Sequence, residues 1–152
     1  MISVDNGHLS RCLFVDSYFN HKGQKSRKIE LLNPSRSSVI KRIEANLRDY
    51  FAGHCDICGT LPLLLKGTKF QQLVWQAVLR VSAGQTQSYL NIAKQISKPT
   101  ASRAVANACA QNNLALFVPC HRIISEQNKT TGYRWNIERA LYLLEMEKHY
   151  FR

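Results

Sequence analysis

The chain has 152 residues, 45% of them hydrophobic and 20% charged, which is the size and make-up of one ordinary globular domain or of a small domain with an appendage. No apolar run approaches the roughly 18 residues of a membrane span, and "MISVDNGHLSRCLFV" lacks the charged start and apolar core of a signal peptide, so a cytoplasmic protein without membrane association is expected. The net charge is +11, from ten basic against six acidic residues before Gly67 and eleven against four after it; a balance this basic favours a polyanionic partner, of which nucleic acid is the usual one.

Residues 1–35 read as strand-like pieces joined by polar turns, with "CLFV" at 12–15 and "KIELL" at 28–32 as the candidate strands around a basic loop. From Ser37 to Phe51 the pattern becomes helical, Val39, Ile43, Leu47 and Phe51 recurring at four-residue steps, and Gly53 ends the helix. "HCDICG" follows, a CxxC formed by Cys55 and Cys58. Zinc needs further ligands at suitable spacing, and no second CxxC or HxxxH follows, so no metal is expected there and the pair reads as structural or incidental. The remaining cysteines, Cys12, Cys109 and Cys120, make the total odd, which argues against a disulfide framework. "LPLLLKG" reads as a connecting segment.

Thr68 and Gln71 have the spacing of a capping box. Phe70, Leu73, Val74, Ala77, Val78 and Val81 then form one helical stripe that ends before Gly84. "SYLNIAKQI" is a short helix with Ser88 as its cap, broken at Pro99, and "TASRAVANACAQ" is a second helix rich in alanine. Two short helices across a tight break resemble a helix-turn-helix, and small side chains on the second let its backbone approach a partner closely. That partner is either another helix or a nucleic-acid groove; Arg103 near the helix start and the basic balance favour the groove. The last helix, "NIERALYLLEMEKHYF", is capped by Asn136 and buries Ile137, Ala140, Leu141 and Leu144. The 3.6-residue pitch places Glu147 on the same apolar face, where a carboxylate needs a partner. No internal repeat and no phosphate-binding glycine loop occurs.

"FVPCHRII", residues 117–124, carries the chemistry. As a buried strand it is awkward, because His121 and Arg122 need partners. A thiolate is a nucleophile when a base or a positive charge promotes it, and Cys120 has both directly after it. Adjacent strand residues face opposite ways, so contact between Cys120 and His121 needs a bend or a bridging water, and Pro119 is consistent with the strand ending there. Glu147 could orient the imidazole, completing an order of nucleophile, base and acid. The residues alone leave a catalytic and a structural Cys120 both open. They also leave open a thiol hydrolase built on Cys120, His121 and Glu147, and a redox protein built on Cys55 and Cys58.

"PCHR" preceded by Asn112, together with "GTKFQQLVWQAV", "GQTQSYLNIAKQI", "SRAVANA" and "TGYRW", resembles the O6-alkylguanine-DNA alkyltransferase family over about residues 66 to 148, in unbroken order. "TGYRW" and "ERALYLLEME" are most similar to its bacterial adaptive-response branch. The resemblance implies an α/β protein: a small N-terminal sheet-and-helix domain over 1–66, ribonuclease-H-like and shortened before Ser37 so that its sheet is incomplete or rearranged, and a mainly helical, winged-helix-like domain over 67–152 that binds DNA. It implies that Cys120 accepts the alkyl group from O6-alkylguanine, and from O4-alkylthymine, in one irreversible turnover. His121 takes the thiol proton through a water, Glu147 polarises His121, Asn112 pins the turn, and Tyr89 donates a proton to N3 of the departing guanine. Arg103 fills the place of a base flipped out from the minor groove. Thr100, Ser102, Ala104, Ala106 and Asn107 meet the DNA, and Tyr89, Ile123, Tyr133, Arg134 and Trp135 surround the base. The implied partner is double-stranded DNA carrying alkylated guanine, met by a nucleoid-associated monomer that requires no cofactor. Two positions depart from the family: Ala140 stands where a lysine is usual, and Thr131 where glycine or serine is common. Activity is expected to be retained. Trp135 is expected to narrow the pocket and favour methyl over bulky alkyl groups. A module of this family without chemistry would lack the cysteine, which is present.

Overall fold

The computed structural model describes residues 2–14, 38–54, 56–57, 60–127 and 132–151. Strands β1 (Ile2–Asp5) and β2 (His8–Cys12) form an antiparallel hairpin, followed by helices α1 (Ser38–Phe51) and α2 (Lys69–Val78). Strand β3 (Gln87–Ser88) runs into α3 (Tyr89–Gln95), then α4 (Ser102–Ala110), a single 3₁₀ turn (Cys120–Arg122), strand β4 (Ile123–Ile124) and α5 (Ile137–Tyr150). None of these helices is long and apolar enough to cross a membrane.

The first strand expectation is corrected. Of "CLFV" only Cys12 belongs to a strand, as the last residue of β2; Leu13 and Phe14 follow it, Val15 lies outside the described residues, and the strand runs earlier, opposite Ile2–Asp5. The turn between them is Asn6-Gly7, with φ of 48° and 77°, the two-residue hairpin signal that the sequence carries openly. "KIELL" lies outside the described residues, as do Cys55 and Cys58. "LPLLLKG" is also more than a connection. Leu9 donates its backbone N–H to Pro62 and accepts one from Leu64, so this segment lies alongside β2. At its other end β2 bonds to the segment after α4: Cys12 N–H donates to the Asn113 carbonyl at 2.8 Å, and Ala115 N–H to the Cys12 carbonyl at 2.7 Å. One short strand therefore stitches the beginning of the chain to the loop that leads to Cys120.

Helix α1 forms where expected, but its buried face turns on Ile43 and Tyr50, while Phe51 is exposed. It closes in a Schellman motif, with Gly53 N–H donating to Tyr50 and His54 N–H to Asp49. Helix α2 has the expected capping box, closed in both directions between Thr68 and Gln71. It buries Val74, Trp75, Ala77 and Val78 but exposes Leu73, and it stops at Val78, so Val81 joins the core from a turn. The Trp75 indole N–H donates to the Ala108 carbonyl at 2.9 Å, which fixes α2 against α4. Ser88 caps α3 by accepting from Asn91 N–H. Strands β3 and β4 pair in parallel, tying the start of α3 to the residues after the 3₁₀ turn.

Asn136 caps α5 as expected, accepting from Glu138 N–H. Its buried face is Ala140, Leu143, Leu144, Met146 and Glu147; Ile137 and Leu141 are exposed. The phase of this helix is set by Ala140 and Glu147, seven positions apart, and Leu141 lies about 100° round from Ala140, on the solvent side.

Gly53 has φ of +74°, and a Cβ there would come within 2.4 Å of the Tyr150 ring. Gly53→Ala meets both the left-handed backbone cost and that contact, and is expected to lower stability by about 1–3 kcal/mol, read as a reduced urea midpoint at unchanged m-value.

Candidate active site

The "CHR" turn is buried, with Cys120, His121 and Arg122 all less than a tenth exposed. It is not a strand. The Cys120 N–H bonds back to the Val118 carbonyl at 2.8 Å across Pro119, whose φ and ψ of −80° and 61° make an inverse γ-turn, and Arg122 N–H reaches the Pro119 carbonyl. Pro119 is thus the bend. Ahead of it, Leu116 sits at φ 69°, an uncommon conformation for a non-glycine residue. Asn112, at the end of α4, holds this loop in shape. Its amide donates to the Val118 carbonyl at 2.8 Å and to the Cys120 Sγ at 3.4 Å, and its oxygen accepts from Leu114 N–H at 2.8 Å. A donor aimed at the sulfur favours the thiolate over the thiol.

His121 Nε2 lies 2.8 Å from Glu147 Oε1, and both side chains are fully buried. Burial by itself would raise the carboxyl of Glu147, but hydrogen bonds from His121 and Arg122 outweigh it and pull the group down to about 2. An ionised carboxylate only accepts, so Nε2 carries the proton and Nδ1 keeps its lone pair. Nδ1 has no partner among the described residues. Burial also holds His121 below its ordinary value, in the neutral form a base requires, against the opposing pull of Glu147.

Arg122, whose partner the sequence does not name, is wholly buried and uses every N–H of its guanidinium. Nε and Nη2 donate to Glu147 at 3.0 and 2.8 Å, Nη1 and Nη2 to the two oxygens of Asp56 at 3.0 Å each, and Nη1 to the Val81 carbonyl at 2.6 Å. Glu147 also accepts from the Tyr50 hydroxyl at 2.5 Å and from Gly84 N–H at 3.2 Å. Tyr50 and Asp56 are the residues that sequence reasoning missed. Tyr50 falls outside the four-residue stripe used to read α1, and Asp56 stands inside the CxxC that drew the eye instead.

A narrow cavity of about 10 Å³, room for roughly one water, is lined by Tyr89, Cys109, Cys120, Ile123, Gly132, Tyr133 and Arg134. Tyr89, Ile123, Tyr133 and Arg134 are therefore brought together with the thiol. Burial, reinforced by the two nearby thiols, pushes the Tyr89 phenol up to about 12, so it holds its proton at neutral pH. Tyr133, raised by burial, stands edge-on to His121 with ring centroids 6.3 Å apart. Trp135 does not line this cavity. It meets Phe14 edge-on at 6.4 Å and carries the Arg134 guanidinium over its ring at 4.7 Å. The expectation that Trp135 narrows the pocket is replaced by Tyr133 and Arg134, the latter braced on the Asn112 carbonyl and on Asn113 Oδ1. Ala140 is fully buried in the core face of α5, and the neighbouring Arg139 lies over the Phe14 ring at 5.1 Å. Thr131 lies outside the described residues.

Helix α4 joins the cavity to the surface. Cys109 lines the cavity on one side, while Thr100, Arg103, Ala104 and Asn107 are exposed and Ser102 and Ala106 half-buried on the other. Among the described residues no group of acidic, histidine and cysteine side chains could hold a metal ion.

Known proteins resemble the chain in sequence and in fold. The family model described as "6-O-methylguanine DNA methyltransferase, DNA binding domain" matches residues 69–149. A probable methylated-DNA–protein-cysteine methyltransferase of Acanthamoeba polyphaga mimivirus is 41% identical over 120 residues, covering 79% of this chain and 80% of that one. The bifunctional transcriptional activator/DNA repair enzyme Ada of Escherichia coli is 50% identical over 88 residues, which is 58% of this chain but only 25% of that protein. The crystal structure of Mycobacterium tuberculosis OGT in complex with DNA superposes with a TM-score of 0.77 at 34% identity, covering 97% of this chain and 85% of the other.

Arg122→Met leaves the buried Glu147 and the half-buried Asp56 without their cation and is expected to cost about 3–5 kcal/mol, measured by urea unfolding. The wild-type chain should also lose stability in acid. Both His121 and Glu147 bind protons more weakly folded than unfolded, so their contribution is full above 6.5, the ordinary histidine value, and declines as the pH falls below it. The Glu147 share goes between 4.5 and about 2. Melting temperatures across this range should fall steadily; a flat profile from pH 7 to pH 3 would contradict the assignment.

Proposed function

The chain belongs to the 6-O-methylguanine-DNA methyltransferase family, and from that premise we propose that it repairs alkylated DNA by moving the alkyl group of O6-alkylguanine, and of O4-alkylthymine, onto Cys120. The observation that carries this reading is the thiol's position: Cys120 shares a cavity with a protonated Tyr89 while Asn112 donates to its sulfur. The thiol proton passes through a water to the free lone pair of His121 Nδ1, and the resulting imidazolium faces the Glu147 carboxylate. Sulfur attacks the alkyl carbon, the carbon–O6 bond breaks, and the electron pair leaves with the purine. Tyr89 supplies a proton to N3 as charge gathers there. The product is a thioether that no group in the site can cleave, so each molecule acts once.

The target atom is out of reach inside a duplex, so the nucleotide leaves the stack. The exposed face of α4 supports this part of the reading, with small Ala104 and Ala106 for close approach to the minor groove and Arg103 placed to fill the gap. The α3–α4 pair with the β3–β4 ribbon supports a winged-helix-like transfer unit over 67–152. The β1–β2 hairpin with α1 supports a shortened ribonuclease-H-like unit over 1–66, although Tyr50 and Asp56 make it more than a scaffold packed behind the site.

Methyl transfer from a labelled oligonucleotide tests the reading. One methyl should appear on the peptide holding Cys120 at one equivalent per chain, and Cys120→Ser should take up none; equal labelling of both chains would refute it. Arg103→Ala should slow transfer from duplex DNA by roughly tenfold or more, the cost of about 1.4 kcal/mol of lost support for the extruded base, while leaving transfer from free O6-methylguanine unchanged. Because Tyr133 and Arg134 close the cavity tightly, O6-methylguanine should react faster than O6-benzylguanine, and the reverse order in single-turnover assays would overturn the pocket assignment.

A further inference from the structure

Tyr50 reaches the transfer site from the far end of the sequence. Its hydroxyl donates at 2.5 Å to Glu147 Oε1, the same oxygen that faces His121 Nε2 at 2.8 Å and Arg122 Nη2 at 2.8 Å. Tyr50 and Glu147 are both fully buried. The ring is held independently of its hydroxyl, stacked on Phe151 at 6.3 Å and edge-on to Phe51 at 5.3 Å. Sharing one oxygen among three side chains has a chemical consequence. Each hydrogen bond donated to Oε1 withdraws electron density that would otherwise support a proton on His121. We infer that Tyr50 is a positioning residue of the proposed transfer reaction, one that acts through Glu147 to restrain the basicity of His121 and so keeps the imidazole ready to receive the thiol proton. This rests on the transferase reading of Cys120.

The groups that set the charge around this pair are few. Asp56 and Arg122 face it from the segment after α1 and from the 3₁₀ turn, Gly84 N–H caps Oε2, and Tyr133 and the Cys120 thiol lie on the cavity side of His121. Burial and Arg122 disfavour the imidazolium, while Glu147 and Asp56 favour it. Tyr50 touches the carboxylate with a neutral hydroxyl, so it can shift this balance without changing the net charge of the cluster.

The test is the pH profile of single-turnover methyl transfer. Tyr50→Phe keeps the ring contacts and removes the shared hydrogen bond. Its acid limb should move to higher pH by about half a unit, a loss of rate that approaches roughly threefold on the falling part of that limb and vanishes on the plateau at pH 8. A chain carrying 3-fluorotyrosine at position 50 alone, a stronger donor, should move the limb the other way. A purely structural Tyr50 would lower the rate equally at every pH. Superimposable wild-type and Tyr50→Phe profiles, or a uniform loss, overturn the inference; if Tyr50→Phe does not fold, the direction of the fluorotyrosine shift decides alone. A wild-type chain that never methylates Cys120 refutes the transferase reading instead, and the His121 ring titration followed by NMR in the same chains then reads the coupling to Tyr50 by itself.

Discussion

Everything at this site hangs on Arg122 being buried between two carboxylates. A guanidinium taken wholly out of water is costly, and only complete pairing in good geometry offsets that cost. Here the offset demands that three stretches distant in sequence converge: the turn bearing Arg122 itself, α5 bearing Glu147, and the segment after α1 bearing Asp56. Replacing the whole cluster by apolar groups could serve stability as well, so the cluster is better understood by its charge. With His121 neutral, one cation and two anions leave a net negative charge beside the imidazole, which in the proposed reaction becomes positive as the thiol gives up its proton. Asp56 is the partly exposed member, so the surplus charge is screened at the outer end and least screened at Glu147, where it is used.

Cys120, the proposed nucleophile, is fixed by a different set of bonds. The loop from Asn112 to Cys120 contains a left-handed Leu116 and the γ-turn at Pro119, neither of which is favourable alone. Asn112 on the inside and β2 on the outside hold it, the latter through Cys12. Burial pushes the Cys12 thiol up to about 11, as befits a core side chain with no chemical part to play. A thiol presented by such a loop needs no induced fit to find its geometry.

What could be read from the sequence was what depends on neighbours in sequence. The Thr68 capping box, the Ser88 and Asn136 caps, the bend at Pro119 and the presence of Glu147 on the core face of α5 follow from local stereochemistry and helical pitch. Asn6-Gly7 is equally local, a turn signal that stands just ahead of the more apolar "CLFV". What could not be read was what depends on how elements meet. Nothing in "NLRDYFAG" says that Tyr50, one step from the stripe, will point at a carboxylate 97 positions away, and nothing in "HCDICG" marks its aspartate as the counter-ion of Arg122. Ile137 and Leu141 erred for the same reason: an apolar pattern on a helix admits neighbouring phases, and the packing partner selects one.

The cavity beside Cys120 is too small for a purine, so a base can enter only if a wall gives way. The two sides of the cavity differ in what holds them. Cys120 and Ile123 belong to the 3₁₀ turn and β4, locked by Arg122, Asn112 and the parallel ladder to β3. Tyr133 and Arg134 belong to the segment before α5, and the contacts that brace Arg134 and Trp135 lie near the surface: two hydrogen bonds to Asn112 and Asn113, the face of one indole, and the edge of Phe14. Bonds of that kind each contribute on the order of 1 kcal/mol, whereas disturbing the ion cluster costs several. The wall is therefore the side that yields first, and in the proposed reaction an extruded base meets a thiol held in place by its turn.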